Sequence, residues 1–186
     1  MSSHRVGTLV GSVRKGSVNR QLADALTALA GPTNLRFENV VIDKFPMYND
    51  DLWANPPAEV ERFKAEVESY DALLFVTPEY NRSIPTLLKN AIDWGSRPKT
   101  RNSWSGRPLS IIGASMGAIG TAVAQAHLKS VMLAMDCAIM GQPEVYLAWR
   151  VGLVDEQGRI TDSATEAFLQ AYLARFETWI NRVGAK

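Results

Sequence analysis

Three short stretches of the chain concentrate the residue types that hold small polar ligands. Gly11–Asn19 reads G-S-V-R-K-G-S-V-N, Pro78–Ser83 reads P-E-Y-N-R-S, and Ser115–Gly120 reads S-M-G-A-I-G. The first carries hydroxyls at Ser12 and Ser17, an amide at Asn19 and a guanidinium at Arg14. Where such a stretch joins a strand to a helix, the unpaired N–H groups and the dipole of the helix start favour an anion. Arg14 adds charge-assisted bonds to phosphate. The spacing is neither G-x-G-x-x-G nor G-x-x-x-x-G-K-[ST], so it points to a terminal phosphate monoester, not a dinucleotide or a triphosphate. The alternative is an ordinary polar turn with a capping serine.

In the second stretch Pro78, with Pro85 just beyond, limits backbone freedom at both ends. Held N–H and C=O groups between them can read the edge of a flat heterocycle, with Tyr80 packing nearby and Asn81 donating and accepting. Glu79 has no second carboxylate or histidine obviously placed beside it and is a weak general base. The alternative is a rigid surface turn with Glu79 solvated. In the third stretch Gly117 and Gly120 allow close backbone approach to a ligand, or serve as small residues at a helix start. A phosphate at the first stretch and a planar ring against the other two is the outline of FMN.

Little else in the chain carries chemistry. The single cysteine, Cys137, makes no internal disulfide, C-x-x-C pair or Cys-rich zinc site, and the two histidines, His4 and His127, are far apart. The phosphatase pattern Cys-x5-Arg fails because the last position is Pro143. Cys137 and Trp179 read as core. His127 reads as structural or interfacial, and Trp53, Trp94 and Trp104 either line an acceptor pocket or pack. With 186 residues, 46% hydrophobic and 21% charged, and a net charge of +1, the chain is neither a basic nucleic-acid binder nor an acidic tail. No apolar run approaches the roughly 18–20 residues of a membrane span, and the N-terminal apolar stretch is too short for a signal peptide, so a cytoplasmic protein is expected. A chain so poor in its own reactive groups points to a bound cofactor.

The elements that must position these stretches alternate. Val6–Val10, Leu35–Ile42, Ala72–Thr77 and Leu109–Ala114 read as strands, and Ala138–Met140 with Glu144–Leu147 as one broken strand. Helices are expected between them: one with Val18, Leu22, Ala25, Leu26 and Leu29 on its apolar stripe, and one marked by Val60, Phe63, Val67 and Tyr70. A third is capped by Ser83 with Pro85 in its first turn, a fourth runs from about Ile119 to Met135, and a last opens on the capping box Ser163–Glu166. Strict alternation with all-apolar strands gives α/β architecture: a five-stranded parallel sheet, helices on both faces, order 2-1-3-4-5, in one domain spanning 1–186. In such sheets ligands bind beyond the carboxyl ends of the strands near the topological switch, which selects these same three stretches.

G-S-x-R-x-x-S-x-N at Gly11–Asn19, T-P-E-Y-N-x-S-x-P at Thr77–Pro85 and S-x-G-x-x-G at Ser115–Gly120 resemble the NAD(P)H-dependent FMN reductase family. The nearest branch is the bacterial quinone, chromate and ferric-chelate reductases, with azoreductases as neighbours. P-M-Y-N-D-D-L-W at Pro46–Trp53 and K-N-A-I-D-W at Lys89–Trp94 extend the likeness, which covers Val6 to Phe176. The resemblance implies a flavodoxin-like homodimer or tetramer holding FMN near the subunit interface. It implies that Ser12, Arg14, Ser17, Val18 and Asn19 hold the FMN phosphate. Pro78, Glu79, Tyr80, Asn81 and Ser83 would line the isoalloxazine and ribityl chain, and Ser115 and Gly117 the pyrimidine side. Tyr48, Asn49 and Asp51 would approach the neighbouring subunit's flavin, and Arg97 and Arg101 are candidates for the dinucleotide phosphates. The implied reaction is ping-pong hydride transfer from NADPH or NADH through the flavin N5 to a quinone, free flavin, chromate, ferric chelate, azo or nitro compound, with no protein nucleophile and no metal. Where some relatives carry Arg-x-x-Tyr-His in the fourth helix, joined to a Glu in a tetramer contact, this chain has Val123, Ala126 and His127, although Glu144 is retained. A flavodoxin-type carrier acting on protein partners is the alternative, and the near-zero net charge argues against the acidic docking face it would use.

Overall fold

The computed structural model describes residues 3–184. Strand β1 (His4–Val10) leads through helix α1 (Val18–Leu29) to β2 (Leu35–Asn39). There follow α2 (Ala58–Glu68), β3 (Ala72–Val76), α3 (Thr86–Gly95), β4 (Pro108–Ser115), α4 (Ala122–Ala134), β5 (Ala138–Ile139), β6 (Val145–Ala148) and α5 (Ser163–Val183). The sheet runs β2-β1-β3-β4-β5, with β6 also beside β4, and every pairing is parallel. This is the flavodoxin-like order that the alternation predicts. The broken last strand is also found: β5 pairs with Pro108 and Leu109, β6 with Ile112–Ser115. Pro143 lies in the gap and has no N–H to contribute to a ladder.

The central strands bury side chains on both sides because successive residues point to opposite faces. In β3, Ala72, Leu74 and Val76 join Leu22 and Leu26 of α1 and Leu169, Leu173 and Phe176 of α5 in one core. Leu73 and Phe75 join Val60 and Phe63 of α2, Ala91 of α3 and Leu128 of α4 in the other.

Several boundaries differ from the sequence expectation. Helix α2 ends at Glu68, so Tyr70 lies just past it, still buried with Val60, Phe63 and Val67. β2 stops at Asn39, although Val40 and Ile42 stay buried, because only Val40 N–H still reaches the sheet, donating to Thr8 O at 2.9 Å. Ser83 does not cap α3. Pro85 precedes the helix in an extended conformation while Ser83 is held in a turn described below. Helix α4 starts at Ala122 and leaves Ile119 exposed in the preceding loop. The cap of α5 is Asp162, one residue before the expected box, its carboxylate accepting from Thr165 N and Oγ1 at 2.9 and 2.6 Å.

Two constraints fix the edges of the sheet. At its amino edge Lys64 of α2 is fully buried, and its ammonium donates to Gly95 O, Arg101 O and Ser103 Oγ at 2.9, 2.8 and 2.9 Å. It thereby closes the carboxyl end of α3. Burial pulls its pKa down to about 8 from the ordinary 10.5. Nearby, His4 Nε2 meets Asn181 Oδ1 at 2.8 Å, so the start of β1 and the last turns of α5 lie together. Toward the other edge stands Gly113 of β4. A Cβ there would sit 2.2 Å from both Thr77 O and Thr121 Oγ1.

Lys64→Met would remove three charge-assisted bonds, leaving Gly95 O only its bond from Ser103 N–H, a loss of about 3 kcal/mol, visible as a fall in Tm of roughly 6–12 °C. The unfolded chain binds the Lys64 proton up to the ordinary 10.5 and the folded chain only up to about 8. The cost of holding the charged form is therefore complete below pH 8 and disappears as pH rises to 10.5. The stability of wild type relative to Lys64→Met should rise across that window in urea unfolding; a flat difference would contradict the assignment. Gly113→Ala should cost about 2–3 kcal/mol by overpacking, and its Cm in urea should fall accordingly.

Candidate functional site

Because β1, β3 and β4 are neighbours, the loops that follow them open side by side at the carboxyl edge of the sheet. Backbone bonds continue past the strand ends and zip the loops together. Gly11 N–H donates to Val76 O, and Thr77 N–H to Ile112 O, both at 2.9 Å.

In the first loop Ser17 is the cap of α1, its hydroxyl accepting from Arg20 N at 3.4 Å. The N–H groups of Val18 and Asn19, first and second in the helix, have no carbonyl behind them within the helix. Ser12 Oγ accepts from Arg14 N at 3.4 Å, and the exposed Arg14 guanidinium rests on Gly16 O at 3.1 Å. Asn19 is 2% exposed, and its amide is already committed: Nδ2 donates to Ala114 O and Oδ1 accepts from Ala114 N, both at 2.9 Å. The structure thus places Asn19 beneath the loop, as a tie between α1 and β4.

The second loop is a tight hairpin. Tyr80 and Ser83 exchange backbone bonds at 3.0 Å each way, and the residues between them, Asn81 and Arg82, have φ of 51° and 63°. Two consecutive positive φ values mark a type I′ turn, which Asn accepts readily and Arg does not. Tyr80 and Asn81 are exposed at its tip while Pro78 is buried at its base. Ser83 Oγ lies 3.2 Å from His127 Nδ1 of α4. The Glu79 side chain is neither solvated nor aimed outward. It is 11% exposed, and its Oε2 accepts from Val123 N and Ala124 N of α4, both at 3.1 Å. Arg82 approaches its other oxygen at 3.5 Å.

The third loop is closed by Ser115, whose hydroxyl donates to Gly120 O and lies 3.2 Å from Gly117 O. Gly120 has φ +64°, and a Cβ there would fall 2.8 Å from Tyr146 Cα, so glycine is required on both counts. Gly117 faces open space, and Met116 and Ile119 beside it are 65% and 51% exposed.

The remaining candidates lie apart. Pro46–Trp53 packs along α3, where Trp94 Nε1 donates to Pro46 O at 2.8 Å and Tyr48 N to Asn90 Oδ1 at 2.7 Å. Tyr48 donates its hydroxyl to Asp50 at 2.6 Å, and burial holds its pKa above the usual phenol value. Asn49 caps the short turn Asp50–Ala54 by accepting from Asp51 N, and Asp51 itself is exposed. Arg97 shares a cavity with Tyr48 and Trp53 on this flank. Arg101 is not brought to the loops. It follows α3, which descends from the carboxyl edge, and it is paired with Glu61 and Glu68 at 2.7 and 3.0 Å. Trp94 and Trp104 are wholly buried core residues. Cys137 donates its thiol to Trp104 O, and burial pushes its pKa up to about 12, so it is no nucleophile. Among the described residues no cluster of acidic, Cys or His side chains could hold a metal, and no helix is long and apolar enough to cross a membrane.

The sequence motifs located all three loops but missed the ties between them. Glu79 reaches a helix 44 residues away, and its partners are backbone amides, which leave no mark on residue type. Nor did the residue before α4 give any warning. Thr121 is a usual capping type, but in the structure its hydroxyl accepts from Gln125 Nε2 at 2.9 Å and does not cap the helix.

A sequence model of the family described as NADPH-dependent FMN reductase matches residues 4–149. The chain is 43% identical over 176 residues to a 2-hydroxy-1,4-benzoquinone reductase of a Burkholderia species, covering 95% of this chain and 96% of that one. It is 44% identical over 178 residues to a quinone reductase of Pseudomonas putida, covering 95% of each. Among solved structures, the flavoenzyme NAD(P)H:(acceptor) oxidoreductase FerB of Paracoccus denitrificans superposes with a TM-score of 0.93 at 44% identity, over 97% of this chain and 98% of that one. A flavodoxin of Pseudomonas aeruginosa, at TM-score 0.55 and 18% identity, shares the fold. The chain therefore belongs to the NADPH-dependent FMN reductase family, and with that membership come an NAD(P)H-dependent oxidoreductase activity and FMN as its cofactor.

Proposed function

We propose that the chain is a homodimeric NAD(P)H:quinone oxidoreductase working by a two-electron ping-pong cycle, with residues 1–186 forming one FMN-binding domain. One observation carries this reading: the zipped loops offer anion donors at one end and a stiff, partly apolar cradle at the other. The N–H groups of Val18 and Asn19, the hydroxyls of Ser12 and Ser17, and Arg14 suit a phosphate monoester. The hairpin Pro78–Ser83 and the loop at Ser115 and Gly117 suit the edge of a planar ring, and the exposed Tyr80, Met116 and Ile119 offer apolar cover. The donor set fits FMN end to end.

Bound there, FMN would supply the redox chemistry, taking hydride from NAD(P)H and passing it to a small acceptor. The chain's own residues orient and enclose. Backbone N–H groups of the second and third loops stabilise negative charge at the ring edge. Asn19 supports the phosphate loop from below, and Tyr80 and Asn81 border the open face where donor and acceptor take turns. Arg97, free of the carboxylates that occupy Arg101, is the arginine retained for the dinucleotide phosphates. Quinones are favoured as acceptors because the Burkholderia and Pseudomonas putida relatives carry that name. The need for NAD(P)H supports a cytoplasmic setting.

The dimer is proposed from the surface between α3 and α4, where Ser83, Ile84, Thr86, Lys89, His127 and Val131 line an open, partly apolar cavity. Tyr48, Asn49 and Asp51 flank the same helix α3 and would reach toward the partner's ring. A tetramer contact through Glu144 is not favoured, because Val123 and Ala126 stand where some relatives carry Arg and Tyr, and Glu144 is paired within the chain to Lys129 and the Tyr146 hydroxyl.

Purified protein should be yellow, bleach in stopped flow with NADPH or NADH, and recover its colour with a small quinone and no partner protein. A preparation that neither contains FMN nor gains colour with it would refute the reading. Arg14→Ala should weaken FMN binding about ten- to a hundredfold, the loss of charge-assisted bonds worth roughly 1.5–3 kcal/mol. Titration of the apoprotein with FMN, followed by fluorescence quenching, measures this. Unchanged affinity would move the phosphate elsewhere.

A further inference from the structure

The first turn of α4 is capped by a residue from another loop. A helix start exposes N–H groups that its own cap residue normally serves, through a side-chain oxygen reaching the second or third N–H. Thr121 stands at that position and makes no such bond, being buried against Gly113 with its hydroxyl turned to Gln125. Glu79 supplies the oxygen instead, and one carboxylate atom takes both donors, Val123 N and Ala124 N. A negative group at a helix N-terminus also meets the favourable end of the helix dipole. The same hairpin touches α4 a second time, one turn further on, where Ser83 meets His127.

We infer that Glu79 is a positioning residue that sets the width of the cleft between the second and third loops. The inference rests on the flavin reading above. The hairpin Pro78–Ser83 hangs from β3, and the loop Ser115–Gly120 leads from β4 into α4. The β3–β4 register ends at Val76 and Ile112, and one further bond, from Thr77 N, joins the two strands. Beyond it the two loops have separate backbones, and the Glu79 carboxylate is a charged link across to α4. With its side chain 11% exposed and Oε2 held by both amides, Glu79 spends most of its carboxylate on this link.

The test compares wild type, Glu79→Gln and Glu79→Ala. Hydrogen exchange on the apoproteins reads the link alone: the Val123 and Ala124 amides should exchange faster in Glu79→Ala. FMN titration reads the cleft. Affinity should fall about tenfold in Glu79→Ala, with a shifted absorption band of the bound flavin, and Glu79→Gln, which keeps one acceptor oxygen, should restore part of both. Faster exchange with unchanged FMN affinity and an unchanged band would make Glu79 a helix cap and nothing more, overturning the positioning role. Unchanged exchange would overturn the link itself. A wild-type protein that takes up no FMN would instead sink the flavin reading, an outcome separate from either.

Discussion

Beyond Ile112, strand β4 outruns its neighbour β3, and the N–H and C=O of Ala114 face a gap in the sheet. Unpaired backbone groups buried in an apolar layer are costly. Asn19 fills the gap as a side-chain substitute for a strand, giving one hydrogen bond and taking one. The rest of the carboxyl edge depends on this exchange. It fixes the first turn of α1 against β4, and hence the donors of the first loop relative to the third, with β1 and β3 held between them. The lengths of the strands thus determine the span across which a ligand must stretch.

The remaining architecture follows from burying both faces of the sheet. Central strands that are mostly apolar leave little room for polar function in the middle layer, so polar chemistry collects at the two edges. At one edge are backbone donors, small residues and the hairpin. At the other are Lys64, Glu61, Glu68 and Arg101, mutually satisfied and wholly structural. Both edges contain arginines, and only their partners tell them apart. Arg101 is held by two carboxylates, whereas Arg14 rests on a single carbonyl and is available.

The sheet order and both cores were legible from the alternation of apolar strands and helical stripes, because burial acts on side-chain type. The loops were legible too, since glycine, serine and proline leave a mark wherever backbone geometry is special. Misreadings arose where the deciding partner was backbone. Ser83 and Ser163 look like caps, but a hairpin claims the first and Asp162 displaces the second. Val40 and Ile42 look like strand and are buried, yet they lie past the ladder. The side chains of Glu79 and Asn19 grip the chain's own amides, ties that residue type does not reveal. A polar side chain in a motif-bearing loop has two kinds of available partner, and residue type does not say which it takes.

The contact of His4 with Asn181 gives the molecule a front and a back. β1 enters and α5 finishes at the edge opposite the three loops. Anything joined to the protein through these regions, whether an affinity handle, a fused enzyme or an electrode surface, would attach at the back and leave the electron-accepting face turned outward.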